Sequence, residues 1–283
     1  MRAEDLSLDG AARCAVPAGD SETDAPFYPD ILYRHIFARR VAPDSALGAI
    51  LEHPERHHLY NPVAPHLEQK SVLAELSRCS VEADAGRAAG LEEPIARLVR
   101  AHLPWTRMLS PGPGTGPDGR PVAELIHFAG ESPATLVVKK SWDFGGKGVF
   151  LGAEHGDEAS RQRMRERFGR ELSWPELVRA CADEGGWVAQ ERVLLPRQTL
   201  AVATADGIVE RQVFVDVSAY TNLGIPEVAY GGVCRASLSP IVNIQSGGGV
   251  VPLISERAAA ELVSRCGLGQ GRPSAGGGTR GDA

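Results

Sequence analysis

Two patterns of apolar residues divide this chain. Upstream of residue 110 they recur at helical spacing: Ile31, Leu32, Ile36 and Phe37 within residues 27–49, and Leu67, Val72, Leu73 and Leu76 within 67–79. A further helix is expected over 95–102, ended by Pro104. From residue 123 onward the apolar residues gather instead in short runs bounded by glycine, proline and polar clusters. These predict strands at 123–128, 135–139, 148–152, 187–193, 201–205, 207–218, 232–236 and 241–244. One helix interrupts them at 173–183. Ser173 and Glu176 have capping-box spacing there, with Trp174 and Pro175 just inside. The charged run 158–171 reads as a solvated helix or a mobile loop. The expected class is α+β.

A Pro/Gly-rich stretch at 110–121 marks the expected subdomain boundary. The organisation is then a polar lead over 1–25, a helical segment over 26–110, a core over 122–266 and a Gly/Arg/Ser-rich tail over 267–283, with both ends expected to be disordered. Composition narrows the function. With 283 residues, 43% of them hydrophobic, the chain can bury an ample core, and a net charge of −6 argues against a nucleic-acid surface as its main role. Cys14, Cys79, Cys181, Cys234 and Cys266 are scattered, with no CxxC pair, so neither a zinc site nor a disulfide framework is indicated. Reduced thiols, no apolar leader in the first 24 residues and no apolar window of about 18 residues predict a cytoplasmic protein away from membranes.

The chemistry concentrates at 135–152, TLVVKKSWDFGGKGVFLG. A β-rich run delivers Lys139 and Lys140, and the loop Gly145-Gly146-Lys147-Gly148 leads into a second β run. A lysine fixed at a strand end beside bare glycine N–H groups suits a polyphosphate, and predicts ATP as ligand. The loop enters a strand rather than a helix, which separates it from strand–loop–helix phosphate motifs. Other matches fail on context. The GxGxxG at 114–119 contains proline and precedes no clear helix. Asp143-Phe144-Gly145 lies four residues after Lys139 with no HRD loop. His53, His57, His58 and His66 cluster without an HExxH arrangement, which favours a solvent-exposed or substrate-facing role over zinc.

In order and spacing, several segments together resemble the ATP-grasp superfamily. They are Val137-Val138-Lys139, the glycine loop, the 173–183 helix, Val188-Ala189-Gln190-Glu191, Phe214-Val215-Asp216, Arg235 and Ile241-Val242-Asn243. Upstream, Asn61-Pro62 through Gln69-Lys70 and Leu103-Pro104-Trp105-Thr106 extend the resemblance, which covers about residues 60 to 255. It implies two α+β subdomains clasping a nucleotide, preceded by a short, mainly helical segment. It also implies that Lys70 and Lys139 meet phosphate, with Gly145, Gly146, Lys147 and Gly148 over them, while Gln190 and Glu191 stand at the adenine. Asp216 and Asn243 would be oxygen ligands for Mg2+, and Arg235 would neutralise the γ-phosphate or an acyl-phosphate. The implied activity is ATP-dependent ligation of a carboxylate to an amine through an acyl-phosphate, releasing ADP and phosphate. A small-molecule kinase and a non-catalytic ATP-binding module stay open. The family commonly carries glutamate where Ile241 stands here; Glu210 or Glu227 are the candidate replacements. The glycine run beginning at Ser246-Gly247 reads either as an anion nest or as a turn. Substrate selection is expected from 27–66 and 158–171.

Overall fold

A computed structural model describes residues 6–9, 13–16, 25–60, 64, 67–204, 207–219, 232–244, 248–251, 253 and 255–266. Asn61, Pro62, His66, Glu227, Ser246, Gly247 and the expected disordered tail lie outside them, as does most of the expected lead. The chain divides into two compact units: residues 1–143 with 150–192, and residues 144–149 with 193–283. The expected boundary at 110–121 falls within the first.

In the first unit β1 (Ser7–Leu8) pairs antiparallel with β2 (Cys14–Ala15). Next, β3 (Leu32–Tyr33) is followed by α1 (Ala46–Glu52), and β4 (Leu59–Tyr60) returns parallel to β3. Leu32, Leu47, Ile50 and Cys14 form a small core. The helical pattern expected across 27–49 is therefore corrected. Exposed Ile31 and Tyr33 flank buried Leu32 in the alternation of a strand, and α1 starts only after Pro43, where the Ser45 hydroxyl accepts from the Gly48 amide at 3.0 Å.

Three helices follow: α2 (Ser71–Val81), α3 (Ala83–Ala88) and α4 (Glu93–His102). Their buried faces differ from expectation. Leu67 and Leu76 are exposed, as are Ile95 and Leu98, while Ala74, Ser77, Ser80 and Ala96 are buried. Small residues let α2 lie close to α4 and to β5 (Thr106–Met108). Ser77 is buried for its hydroxyl, which accepts from the Thr106 amide at 3.1 Å and from Arg107 Nη1 at 2.8 Å.

The hairpin β6 (Gly114–Thr115) and β7 (Pro121–Val122) leads into α5 (Leu125–Glu131). A strand was expected at 123–128. Glu124 overrides it by accepting from the His127 amide at 2.6 Å and the Gly112 amide at 3.2 Å, capping a helix that turns Leu125 and Ala129 inward.

The main sheet of this unit has the order β5, β10 (Trp187–Glu191), β8 (Leu136–Lys140), β9 (Val149–Leu151), with β10 antiparallel to both β5 and β8. Leu136, Val138, Phe150, Trp187 and Ala189 share a core with side chains of α5, α6 (Glu158–Phe168) and α7 (Trp174–Glu184). The charged run is thus a helix, anchored by buried Ser160 and Met164 and closed by Gly169 at φ 72°. The capping box opens α7 as expected, with the Glu176 carboxylate 2.8 Å from the Ser173 amide.

In the second unit β11 (Arg197–Thr204), β12 (Gly207–Ala219), β13 (Gly232–Ser237) and β14 (Gly249–Val251) form an antiparallel meander, and α8 (Glu256–Cys266) comes last. The strand expected at 241–244 is not formed. Ser237 Oγ accepts from the Ser239 amide and Ser239 Oγ from the Ile241 amide, at 3.1 and 3.2 Å, and these local bonds around Pro240 turn the chain off the sheet edge. The protein is of the α+β class. Among the described residues no helix is long and apolar enough to cross a membrane.

Candidate functional site

Period-two alternation on β8 sends its two lysines opposite ways. Lys140 joins the helix-covered side. Its Nζ donates to Glu184 Oε1 at 2.7 Å and to the Gly185 carbonyl at 2.8 Å, and it sits 5.4 Å from the Trp187 ring centre. Lys139 leaves from the other face, half-buried, and donates to Gln190 Oε1 at 2.5 Å. Gln190 lies two residues along β10 from Val188, the register partner of Lys139. Its Nε2 donates to the Thr106 hydroxyl at 2.9 Å, and that hydroxyl donates to the Pro104 carbonyl at 2.8 Å. A neutral relay across three strands thus orients the Gln190 oxygen toward the ammonium.

Lys70 stands where α2 meets the end of β8. The Ser141 hydroxyl accepts from the Ser71 amide at 2.9 Å, satisfying a donor at the helix start. Lys70 Nζ donates to the carbonyls of Lys140 at 3.0 Å and Asp143 at 2.6 Å, clamping the turn that follows the strand. Burial pushes the Lys70 ammonium below its ordinary range; Asp143 offsets part of this and Arg39 adds to it. Lys139 is lowered too, first by burial and then by the charge of Lys70. Two ammoniums therefore share a desolvated corner, and the oxygens that accept from them, the carbonyls of Lys140, Ser141 and Asp143 and the Gln190 amide, are neutral. Retaining such charge is costly. An anion would lower that cost.

Glu191, next to Gln190, is exposed and points from the opposite face of the strand. Thr106 and Arg39 are contributors that sequence reasoning did not assign a role. Thr106 lay within the Pro104–Thr106 segment already singled out, whereas nothing local marks Arg39.

The second unit holds the remaining residues. Gly145 and Gly146 have φ of 70° and 75°, a left-handed pair that suits glycine. The Gly145 carbonyl accepts from Asn243 Nδ2, and a Cβ on Gly146 would lie 3.0 Å from Ile241 Cγ2. Ile241 and Asn243 thus shape the glycine turn from outside. Lys147 is exposed and Gly148 buried. The Gly248 amide donates to the Asn243 carbonyl at 3.0 Å.

Asp216 and Arg235 are direct register partners on β12 and β13. Arg235 Nε donates to Asp216 Oδ1 at 3.0 Å and Nη2 donates to Oδ2, a two-pronged pair that raises the guanidinium pKa. Both carboxylate oxygens of Asp216 are engaged, and among the described residues no group of three His, Cys, Asp or Glu side chains gathers as a metal centre. Asp216 and Asn243 are each engaged separately, by Arg235 and by the Gly145 carbonyl, so a magnesium ion that used them would be held chiefly by phosphate and water. They do not make a centre that holds the metal unaided.

No protein-family model and no curated protein sequence matches the chain.

Proposed function

We propose that this chain has an ATP-grasp fold, binds ATP, and joins a carboxylate to an amine, releasing ADP and phosphate. The observation that carries the reading is the half-buried Lys139, which donates to Gln190 and is lowered in pKa by burial and by Lys70. A polyphosphate is the ligand that would turn this electrostatic cost into binding energy. Lys139 and Lys70 would hold phosphate oxygens, the turn through Gly145, Gly146, Lys147 and Gly148 would offer amides, and Gln190 with Glu191 would stand at the base and ribose.

In the reaction a substrate carboxylate oxygen attacks the γ-phosphorus. An O–P bond forms, the bond to the ADP oxygen breaks, and ADP departs. The amine nitrogen then attacks the acyl carbon, phosphate leaves with the bonding pair, and the excess amine proton passes to solvent. Arg235 would meet the charge on the transferred phosphoryl group. Asp216 and Asn243 would supply protein oxygens to magnesium carried on the nucleotide, whose contribution is charge neutralisation. The chain's own work is positioning and charge compensation.

One observation favours a second reading, a nucleotide-binding module without turnover. Ile241, at the place of the family's glutamate, lies against the Gly146 turn as an apolar spacer. A small-molecule kinase is the third reading, separated by phosphate appearing on the product. The described cysteines Cys14, Cys79, Cys181 and Cys234 are unbridged, which supports a cytoplasmic setting, with small-molecule or peptide substrates as partners.

The test is calorimetric titration of ATP, with and without magnesium, into the wild type and Lys139→Met, followed by ADP-release assays over panels of acids and amines. Binding lost in the variant and substrate-stimulated ADP release support the ligase. Equal affinity in the two proteins refutes the nucleotide site.

A further inference from the structure

The first unit contains a cavity of about 430 Å³ that the nucleotide reading does not use. Its lining includes Arg34, Ile36, Phe37, Leu67 and Glu68, from the segment after β3 and the segment before α2. Arg34 is only 7% exposed. Its Nη2 donates to Glu68 Oε1 at 2.6 Å and its Nη1 to the Ile36 carbonyl at 2.5 Å. One wall is therefore an ion pair. The rest of the lining is chiefly apolar, from Ile36, Phe37, Ala64 and the exposed Leu67, with the imidazole of His35 beside them.

Charge decides what fits. A ligand bearing only a carboxylate would add a second negative charge beside Glu68, and one bearing only an amine would set a cation beside Arg34. Breaking a buried pair without replacing both partners leaves an uncompensated charge. A molecule carrying both signs on neighbouring atoms can exchange partners with the pair, its carboxylate on Arg34 and its ammonium on Glu68. The apolar wall then receives a hydrocarbon side chain. The volume is at the small end for ligand pockets. We propose that this cavity binds a free α-amino acid with an apolar side chain through the Arg34–Glu68 pair and the Phe37–Leu67 wall.

The cavity adjoins the lysine corner. Arg39 lies 5.5 Å from the Phe37 ring centre and 5.1 Å from that of Trp142, and its charge reaches Lys70. A role for the amino acid as a ligase substrate rests on the ATP reading above. Its binding does not.

The experiment titrates leucine, leucinamide and N-acetyl-leucine into the full chain without nucleotide. Leucine should bind, and each blocked analogue at least about tenfold more weakly. Leu67→Trp, made at an exposed position the fold does not need, should fill the mouth and abolish leucine binding with the melting temperature unchanged. Glu68→Gln should weaken leucine about tenfold and narrow its advantage over N-acetyl-leucine. No binding of leucine at about 10 mM, equal binding of the analogues, or leucine binding unaffected by Leu67→Trp would overturn the proposal. Leucine binding in a protein that ignores ATP upholds the pocket and sinks only the ligase. ATP binding without leucine binding does the reverse.

Discussion

Replacing Lys139 with methionine should stabilise the protein while weakening its hold on nucleotide. Methionine keeps the length of the side chain and removes the charge. In the wild type that ammonium is half-buried, feels Lys70 and bonds a neutral oxygen. The effective penalty of a desolvated ion in proteins is several kcal/mol. Against its removal, Gln190 Oε1 loses its donor, which costs about 1–3 kcal/mol. Relief exceeds loss, and the net gain is about 1 kcal/mol, a rise of about 2–4 °C in melting temperature for a chain of this size. The gain has a pH signature. A lysine whose folded pKa lies below its ordinary 10.5 weakens the fold while charged. That penalty is complete below the folded pKa and disappears as pH climbs through it toward 10.5. The variant's advantage is therefore largest near neutrality and shrinks in alkali. A charge-assisted phosphate contact is worth about 1.5–3 kcal/mol, so ATP affinity should fall about 10- to 150-fold. Thermal melts across pH and calorimetry with ATP read both effects. A lower melting temperature together with unchanged ATP affinity would refute the reasoning, because the lysine would then be a structural cation and not one kept for an anion.

Other substitutions probe the frame around the site. Gly146→Ala demands a left-handed alanine against Ile241 Cγ2 at 3.0 Å; it should cost about 1–2 kcal/mol and weaken ATP binding, read by melting and calorimetry. Gly152→Ala places Cβ 2.2 Å from the Pro133 carbonyl oxygen; chemical denaturation should show a loss of about 3 kcal/mol. Glu176→Ala opens the capping box on α7 and takes the carboxylate from the Ser173 amide, and should lower the denaturation midpoint in the same assay. Cys181 is fully buried, and burial pushes its thiol far up; maleimide should label it only as fast as the protein unfolds, checked by peptide mapping.

The elements most legible in the sequence are those whose signals are local. The capping box at Ser173 and Glu176, the β8 run ending in lysine and the alternating β12 carry their instructions within a few residues. Residues 123–128 misled because an apolar run suits either state, and the deciding bond joins Glu124 to Gly112 across the hairpin. The inward face of α2 misled because a face built of Ala74, Ser77 and Ser80 has no hydrophobic signature; its burial is dictated by the needs of β5 and α4. In the site, Lys139 and the glycine turn stood out by composition alone. Gln190 as the partner of Lys139, and Glu68 as the partner of Arg34, come from strand register and chain return over tens of residues, which a linear pattern does not encode.

The lowered ammonium of Lys139 also bears on covalent reactivity. An amine that gives up its proton more readily than an ordinary lysine presents more free base to an electrophile, and an activated acyl group beside it would acylate it in place of the intended acceptor. The 2.5 Å bond to Gln190 opposes this by giving the proton a fixed acceptor to point at, so that the lone pair is not released. The amide relay through Thr106 to Pro104 is in that sense a chemical guard. Gln190→Leu would leave a lysine prone to modifying itself, visible as an added acyl mass on the β8 peptide after exposure to an acyl-phosphate.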